Sequence, residues 1–386
     1  MPRSADVIVV GLGAMGAAAA RALSRRGYRV LGFDRFAPPH DRGSSHGDSR
    51  IIREAYFEGP AYVPLVQRAY LLWEELEREA GRTLLTRTGG MMIGPRDSAV
   101  VGGALRSALA HALPHEVLDA DAIVARAPAF RPRADWVAVY EPNDGVLRPE
   151  AAIAAMHESA RRHGARLRSN EPIVSWRAHD GGVRVTTARG TYAAGALVLA
   201  AGAWMPRLVP ELPLTVSRQL LFWFEPVGAR QAHDPGICPI SIWEHAPGRC
   251  FYSFPRDERG VKVAIHHEGA AADPDTLDRE VKPHEVEAVR ALLHDHLPFA
   301  SGPLTHSAVC MYTNTPDEDF VLDRHPDHAN VIVASPCSGH GFKFAPAVGE
   351  AISDLVVDGW TRHELAPFAI ARFSSAHRAA NAARPG

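Results

Sequence analysis

The order of apolar and polar residues predicts alternating strands and helices at the start of the chain. A β-branched apolar run at residues 6–10 indicates a strand, a glycine-rich turn follows at 11–16, and residues 17–26 are predicted to form a helix. A second strand is predicted over 29–34, and apolar residues at helical spacing predict an amphipathic helix over 61–80. The chain is therefore expected to open with a β-α-β unit.

Longer β segments replace this pattern in the middle of the chain, and the β-α pattern returns at the end. Further strands are predicted at 89–93, 196–201, 219–225, 250–254, 261–266 and 330–334, with a hairpin around 180–182, a turn at 339–341 and helices over 150–162 and 344–357. We predict an α/β fold with a Rossmann-like nucleotide-binding domain and a second, α+β domain with a mainly antiparallel sheet. The first comprises residues 1–80, 145–210 and 315–386, and the second comprises 81–144 and 211–314.

Composition limits the classes of function. A chain of 386 residues with 46% hydrophobic residues can bury a large core. Its net charge of -2 and the lack of like-charge blocks argue against nucleic acid as a partner. The apolar run near the N-terminus is too short for a signal peptide, and no run of about 20 apolar residues predicts a membrane span. We expect a cytoplasmic protein that acts on small molecules, with no metal site.

Cysteine and lysine are both scarce. The four cysteines form no CxxC pair, so each is judged alone. Positive charge comes almost entirely from arginine, with 39 Arg against three Lys at positions 262, 282 and 343. Because a buried lysine changes its pKa readily and arginine does not, a retained lysine is a candidate for a chemical role.

The glycine-rich turn has the spacing of a dinucleotide-binding motif. Residues 11–16 read GxGxxG between a predicted strand and a predicted helix, and Asp34 ends the next strand. Glycines let backbone N–H groups approach a pyrophosphate at the helix N-terminus, and the carboxylate accepts hydrogen bonds from ribose hydroxyls. The motif does not distinguish NAD from FAD, although the charge of Asp34 disfavours the extra phosphate of NADP.

Several segments together resemble the monomeric sarcosine oxidase and N-methyltryptophan oxidase family, within the D-amino-acid oxidase-like flavoproteins. The resemblance extends from residue 6 to about 350 and is carried by residues 6–16, 38–53, 141–143, 202–204, 308–313 and 338–344. It implies FAD as the cofactor of the nucleotide-binding domain, attached through a thioether from Cys310 to the 8α-methyl carbon of the flavin. The other cysteines, Cys238, Cys250 and Cys337, are interpreted as packing residues.

The resemblance also implies a set of site residues. Arg53 and Lys343 match the pair of cations that binds a substrate carboxylate, the alternative for Arg53 being a surface salt bridge to Glu54 or Glu58. Cofactor contacts are implied for Gly11, Gly13, Gly16, Asp34, Ser44, His46, Arg50, Ile173, Gly202, Cys310, Gly341 and Lys343.

A predicted strand carries the remaining candidates. Lys262 matches the family's oxygen-activating lysine and His266 a substrate-site histidine, although His267 is the alternative if the register shifts by one. On a strand, residues 262, 264 and 266 share one face, so both side chains are expected on one cavity wall. Tyr252 and Tyr312 match aromatic positions lining the same pocket.

The implied reaction is oxidation of a small secondary amino acid such as sarcosine. Hydride passes to the flavin, oxygen is reduced to hydrogen peroxide, and the imine hydrolyses to aldehyde and amine; we expect a monomer. Alternatives are an oxidase of a cyclic or glycated amino acid, a flavin dehydrogenase that uses a carrier, and a noncatalytic dinucleotide-binding protein. Departures from the family pattern at Glu54 and at His267 and Glu268, together with the pocket wall around Ile242 and Trp243, leave the exact substrate open.

Overall fold

The computed structural model describes residues 4–179 and 181–374. Asp180, in the predicted hairpin, and residues 1–3 and 375–386, at the ends of the predicted first domain, lie outside the described residues. Six strands of the described chain form a sheet that is parallel except at one edge, where β19 is antiparallel to β20. In spatial order they are β19 (Val321–His325), β20 (His328–Ser335), β13 (Ala196–Leu199), β1 (Val7–Val10), β2 (Val30–Phe33) and β9 (Arg166–Arg168).

Four helices form the layer that packs with this sheet. They are α1 (Ala14–Arg25), α2 (Val63–Ala80), α5 (Pro149–Arg162) and α8 (Ala345–Val357). The contact between α1 and α8 depends on small residues, because a Cβ at Gly349 would lie 2.6 Å from backbone atoms of Ala18. Helix α2 ends where predicted, at Gly81, whose left-handed φ of 63° suits glycine.

Helix α1 begins at Ala14, three residues earlier than the sequence pattern predicts. Gly13 is its N-cap residue, with an extended backbone, so the last residues of the glycine motif belong to the first helical turn. This places the N-terminus of the helix against the glycine turn, which is where a pyrophosphate would bind.

A second sheet contains eight of the described strands and is antiparallel except for the pair β15–β5. In order they are β18 (Leu304–Asn314), β14 (Thr215–Phe224), β17 (Val261–His266), β16 (Arg249–Ser253), β15 (Ile240–Ala246), β5 (Gly90–Gly94), β7 (Val137–Glu141) and β6 (Glu116–Leu118). One face carries an aromatic core in which the rings of Trp243 and Phe251 stack 5.6 Å apart. Helices α3 (Ala99–Ala110), α4 (Ala120–Arg126) and α7 (Pro283–His296) accompany this sheet.

Two smaller sheets complete the described structure. Strands β10 (Ile173–His179), β11 (Gly182–Thr187) and β12 (Gly190–Ala194) form an antiparallel meander that includes the predicted hairpin. Strands β3 (Arg50–Ile52) and β4 (Leu85–Arg87) both pair with β8 (Gly145–Leu147). The short helix α6 (Met205–Leu208) follows β13.

The α/β fold class with a mainly antiparallel second sheet is confirmed. The parallel sheet draws strands from both halves of the chain, and the eight-stranded sheet lies within 81–144 and 211–314. The small β3-β8-β4 sheet combines strands from both predicted sets of segments, so the domain boundaries stay a prediction. Within the described ranges, no helix is long and apolar enough to cross a membrane.

Candidate active site

A cavity of about 440 Å³ extends from the glycine turn after β1 to residues of the eight-stranded sheet on β16, β17 and β18. Its walls come from segments far apart in the sequence, including the turn after β1, the 43–53 segment, β18 and the loop before α8. Most of the predicted site residues line it: Gly11, Gly13, Asp34, Ser44, Arg50, Arg53, Ile173, Gly202, Tyr252, His266, Cys310, Tyr312, Gly341 and Lys343.

The nucleotide end of the cavity is built around Gly11 and Asp34. Gly11 adopts a positive φ of 86°, and a Cβ at Gly16 would lie 1.7 Å from the Gly11 carbonyl oxygen. Gly16 is therefore needed for backbone packing behind the cavity and does not line it. The Asp34 carboxylate accepts hydrogen bonds from Leu12 N at 2.7 Å and from Phe36 N at 2.8 Å, which orients it at the end of β2.

Two residues of the 44–50 segment are arranged around the candidate attachment point. The Arg50 guanidinium donates to the Ser44 carbonyl at 2.8 Å and lies 4.0 Å from the sulfur of Cys310. His46 is buried just outside the cavity lining, and burial, aided by the positive charge of Arg50, lowers its pKa to about 3. His46 is therefore neutral at physiological pH, and its Nε2 has no partner among the described residues.

Cys310 lies on β18 and lines the cavity. The residue is 3% exposed. Cys337 also lines the cavity, although no sequence motif separates it from Cys238 and Cys250. Burial raises the pKa of the Cys337 thiol to about 11, which keeps it protonated. Proximity to Arg50 therefore distinguishes Cys310 from the second cavity thiol.

Arg53 is buried, with 1% exposure, and its ion pair with Glu58 lies in the cavity wall. The alternative considered from the sequence was a surface salt bridge. Arg53 does pair with Glu58, but the pair lies in the cavity wall and not on the outer surface. The guanidinium carbon also lies 4.0 Å above the ring of Tyr56 and 4.3 Å above that of Phe57. Its Nε has no hydrogen-bond partner among residues 4–179 and 181–374.

Lys343 is the second buried cation on this wall. Its ammonium donates to the His340 carbonyl at 2.7 Å and to the Tyr56 hydroxyl at 3.2 Å. Burial, together with the charge of Arg53, lowers the Lys343 pKa to about 7. A bound anion would offset both effects and favour the charged form of the lysine.

Lys262 lies one layer behind the cavity surface and does not line it. Its ammonium donates to the carbonyls of Gly47 at 2.6 Å and Ser49 at 3.0 Å and to the Ser49 hydroxyl at 3.0 Å. Lys262 and His266 lie on the same strand, as expected. Only His266 lines the cavity, because the Lys262 ammonium lies behind its surface. Burial and the charge of Arg50 lower the Lys262 pKa well below its usual value.

His266 faces the cavity, whereas His267 does not line it. His266 Nδ1 lies 3.1 Å from the Tyr312 hydroxyl, and burial lowers the His266 pKa well below its ordinary value. His267 has a positive φ of 61° and lies 3.5 Å from the Glu318 carboxylate. His266 is thus the neutral histidine available to a ligand.

The rest of the uncertain pocket wall is settled by strand alternation. Ile242 on β15 lines the cavity, and Trp243 packs on the opposite face of the sheet against Phe130 and Phe251. Glu268 pairs with Arg249, and it and Glu54 do not line the cavity.

Several cavity residues were not predicted as functional from the sequence. Glu58 was considered only as a surface partner, and no motif marked Phe57, which lines the cavity, or Tyr56, which lies behind the lining. The signal that was available is the YFE triplet at 56–58, which begins three residues after a candidate binding arginine. Others of this kind are Ser49, Leu221, Phe254, His340 and Phe342.

The cavity joins a glycine turn suited to a dinucleotide to a wall with two buried cations and a neutral histidine, which defines a flavin- or nicotinamide-type oxidoreductase. The model of the FAD dependent oxidoreductase family, DAO, matches residues 6–355, and the chain belongs to this family. It is an FAD-dependent oxidoreductase, and the cradle around Gly11, Gly13 and Asp34 fits FAD.

Relatives with assigned names are similar over nearly the whole chain. A monomeric sarcosine oxidase from Streptomyces avermitilis is 48% identical over 377 residues, covering 96% of this chain and 98% of the relative. An N-methyl-L-tryptophan oxidase from Salmonella arizonae is 38% identical over 374 residues, covering 96% and 99%.

Solved structures share the fold. NikD, an amino acid oxidase of nikkomycin biosynthesis, has a TM-score of 0.82 at 25% identity, with 95% of this chain and 97% of NikD covered. Glycine oxidase from Geobacillus kaustophilus has a TM-score of 0.80 at 23% identity, with 96% and 99% covered. At 23% identity the second likeness concerns the fold alone.

Proposed function

We propose that this protein is an oxidase of small N-methyl amino acids, with sarcosine as the first candidate substrate and oxygen as the electron acceptor. The observation that carries the proposal is the placement of Arg53 and Lys343 on one buried wall of the FAD cavity. Of the groups that line this wall, Arg53 and Lys343 are cations and Glu58 is the ion-pair partner of Arg53. The lining of this wall therefore carries a net positive charge that suits a carboxylate. The names of the relatives support the same substrate class.

Arg53 and Lys343 hold the substrate by its carboxylate. The unpaired Nε of Arg53 is a donor without an acceptor in the described chain, and such a buried group is expected to gain a partner from a ligand. Lys343 adds a point charge once the anion has raised its pKa above about 7. The carboxylate thereby fixes the distance of the amine from the far wall.

His266 and Tyr312 face the amine end of this site. Because His266 is neutral, its imidazole can accept or donate a hydrogen bond without adding a positive charge beside the amine. A neutral secondary amine retains the lone pair that oxidation requires, and the cations nearby favour this form by lowering the amine's pKa. When bound, FAD supplies the two-electron acceptor: it takes hydride from the carbon beside nitrogen and passes the electrons to oxygen, giving hydrogen peroxide, while the imine hydrolyses to aldehyde and amine.

Cys310 is proposed as the covalent attachment point of FAD. Forming a thioether to the flavin 8α-methyl carbon would remove one hydrogen from the Cys310 thiol and one from the methyl group, with oxygen as the acceptor of the two electrons. The Arg50 guanidinium, 4.0 Å from the sulfur, would place a positive charge beside the atom that forms the bond. The protein is also proposed to act as a monomer.

Lys262 is proposed to assist oxygen reduction as a buried positive charge. Its ammonium contacts Ser49, which lines the cavity. One residue therefore separates the positive charge from the cofactor region. A fixed charge of this kind stabilises the superoxide anion that forms in the first electron transfer.

The reaction is tested by mixing the purified flavoprotein anaerobically with sarcosine, N-methyl-L-tryptophan, pipecolate and a glycated amino acid, and then admitting air. We expect sarcosine or another N-methyl amino acid to bleach the flavin and oxygen to restore it with release of peroxide. Bleaching by pipecolate or the glycated amino acid alone would move the assignment to that substrate class. Bleaching without reoxidation by air would identify a dehydrogenase, and no bleaching by any amine would refute the oxidase proposal.

A further inference from the structure

Two carboxyl groups are buried together directly behind Arg53. Glu141, at the end of β7, is 2% exposed, and Asp144, in the turn before β8, is fully buried. They lie side by side, because they accept hydrogen bonds from the consecutive backbone N–H groups of Glu54 and Ala55. Neither lines the cavity, and neither has a role in the proposed reaction.

Each member of this pair holds the backbone that follows Arg53. Glu141 Oε2 accepts a hydrogen bond from Ala55 N at 2.7 Å, and Asp144 Oδ1 accepts one from Glu54 N at 3.2 Å. Two consecutive peptide N–H groups are therefore fixed by two carboxyl groups. The path of residues 53–55, and with it the position of the guanidinium, depends on the pair.

The second oxygen of Asp144 requires a proton. No N–H or hydroxyl group of the described residues donates to Asp144 Oδ2. Packing is close on this side, since a Cβ at Gly90 would lie 2.3 Å from Oδ2. Two ionised carboxylates offer acceptors alone, whereas one proton turns one of them into a donor and removes a buried like-charge repulsion.

We infer that Glu141 and Asp144 share a single proton at neutral pH and that this hydrogen-bonded pair positions Arg53 for anion binding. Burial and the neighbouring carboxylate raise the pKa of Asp144 well above its ordinary value. Burial likewise raises the pKa of Glu141 to about 7. Because Asp144 Oδ2 is the buried oxygen without a partner, we place the proton on Asp144, and the charged Glu141 accepts a hydrogen bond from it.

The pair also sets the charge behind the binding site. With one proton it contributes a single negative charge, one fewer than two ionised carboxylates would, and this charge favours the ionised form of Arg53. The other titratable or charged groups that face the pair are Arg53, Glu54, Tyr70 and Lys343. The positioning role rests on the proposed carboxylate site, whereas the shared proton does not.

Infrared spectroscopy of the flavoprotein at pH 8 tests the shared proton, because carboxyl groups with ordinary pKa values are ionised there. We expect one band of a protonated carboxyl group in the wild-type protein. Asp144→Asn and Glu141→Gln should each remove it, because in either variant the new amide donates to the remaining carboxylate. Glu54→Gln, which removes the adjacent carboxylate, should keep it. Absence of the band from the wild type, or its persistence in both amide variants, would overturn the inference.

Acetate, followed by its effect on the flavin absorbance at pH 7, tests the positioning role. Each amide variant keeps one hydrogen bond and one negative charge, so both should bind acetate within about threefold of the wild type. Asp144→Ala leaves Glu141 without its donor and Glu54 N without its acceptor, and should bind acetate about 10-fold more weakly. Single amide variants that bind acetate much more tightly would indicate a doubly ionised pair and refute the shared proton.

The two proposals fail in distinguishable ways. If acetate does not bind the wild-type protein while the infrared band behaves as expected, the carboxylate site and the positioning role are wrong and the shared proton stands. If acetate binds but Asp144→Ala binds it as the wild type does, the positioning role is wrong and the carboxylate site stands. Should Asp144→Ala not fold, Glu141→Ala, which leaves Ala55 N without its acceptor, takes its place in the acetate test with the same expected loss.

Discussion

The guanidinium of Arg53 is paired with the carboxylate of Glu58 in the wall of the FAD cavity, where a substrate carboxylate is proposed to bind. Burial opposes ionisation of Glu58, but Arg53, His340 and Lys343 outweigh this effect and lower the pKa of Glu58. A substrate carboxylate must therefore compete with an internal one. The internal pair keeps Arg53 compensated when the site is empty.

Replacing Glu58 with glutamine should strengthen anion binding. The variant removes the competing charge, so we expect the acetate dissociation constant to fall by about 10-fold or more. The same change removes the ion-pair partner of a buried arginine and should lower the free energy of unfolding by about 3 kcal/mol, part of which acetate restores. Acetate titration and thermal unfolding measure the two effects, with Glu54→Gln as the control. Weaker acetate binding in Glu58→Gln would contradict the competition.

Binding of acetate should weaken as pH rises above about 7. The Lys343 pKa is lowered to about 7 in the free protein, and an anion stabilises the protonated form. Above the free pKa the competent fraction falls about 10-fold per pH unit until the pKa of the complex is reached. Dissociation constants measured from pH 6 to pH 9 should show this slope in the wild type and in Lys282→Met, which changes an exposed lysine, but not in Lys343→Met. An unchanged slope in Lys343→Met would assign the titration to another group.

Replacing Cys310 with serine should release the flavin. We expect acid precipitation to leave the wild-type pellet yellow and the Cys310→Ser pellet colourless, with intact mass lower by FAD less two hydrogens, apart from the substitution itself. Cys337→Ser is the matched control, since both thiols line the cavity and one is near Arg50. Colour retained in Cys310→Ser would exclude the proposed thioether.

Replacing Lys262 with methionine should slow reoxidation and spare reduction. Loss of one preorganised charge costs about 100- to 1000-fold in the rate of the step that it stabilises. Stopped-flow measurement of the two half-reactions separates them, and Lys282→Met should behave as the wild type. Equal slowing of both half-reactions would indicate that Lys262 supports the structure around Ser49 and has no specific effect on oxygen.

Local sequence was sufficient for the opening β-α-β unit and for the nucleotide motif, whereas helices α3, α4 and α7 were not predicted. The nucleotide motif consists of the glycines at 11, 13 and 16 and the acid at 34, all within one short stretch of the chain. These residues indicate a strand, a turn and a second strand. Helix α2 was placed closely because its apolar spacing and its terminal Gly81 are local signals. The start of α1 was predicted late, because glycine weakens helix propensity although the cofactor turn requires it there.

The site was predicted in outline from motifs, but its charge balance was not. Arg53, Lys343 and His266 all reach the cavity, whereas Lys262 and His46 lie behind its surface. The choice between His266 and His267 depended on strand register, which the pairing of β17 with β16 fixes. Glu58 could be considered from the sequence as a partner of Arg53, yet its place in the cavity wall near His340 and Lys343 is a product of tertiary packing.

By itself the sequence determined the opening β-α-β unit, the family and the chemical types of the site residues, because these depend on neighbours along the chain and on short motifs. Only the tertiary structure decided which carboxylate neutralises Arg53, which histidine faces the cavity, and that Glu141 and Asp144 lie together without a donor between them. The physical reason is that burial and charge interactions depend on distances in space, and the chain brings residues 53, 144, 266 and 343 together only when its sheets have packed.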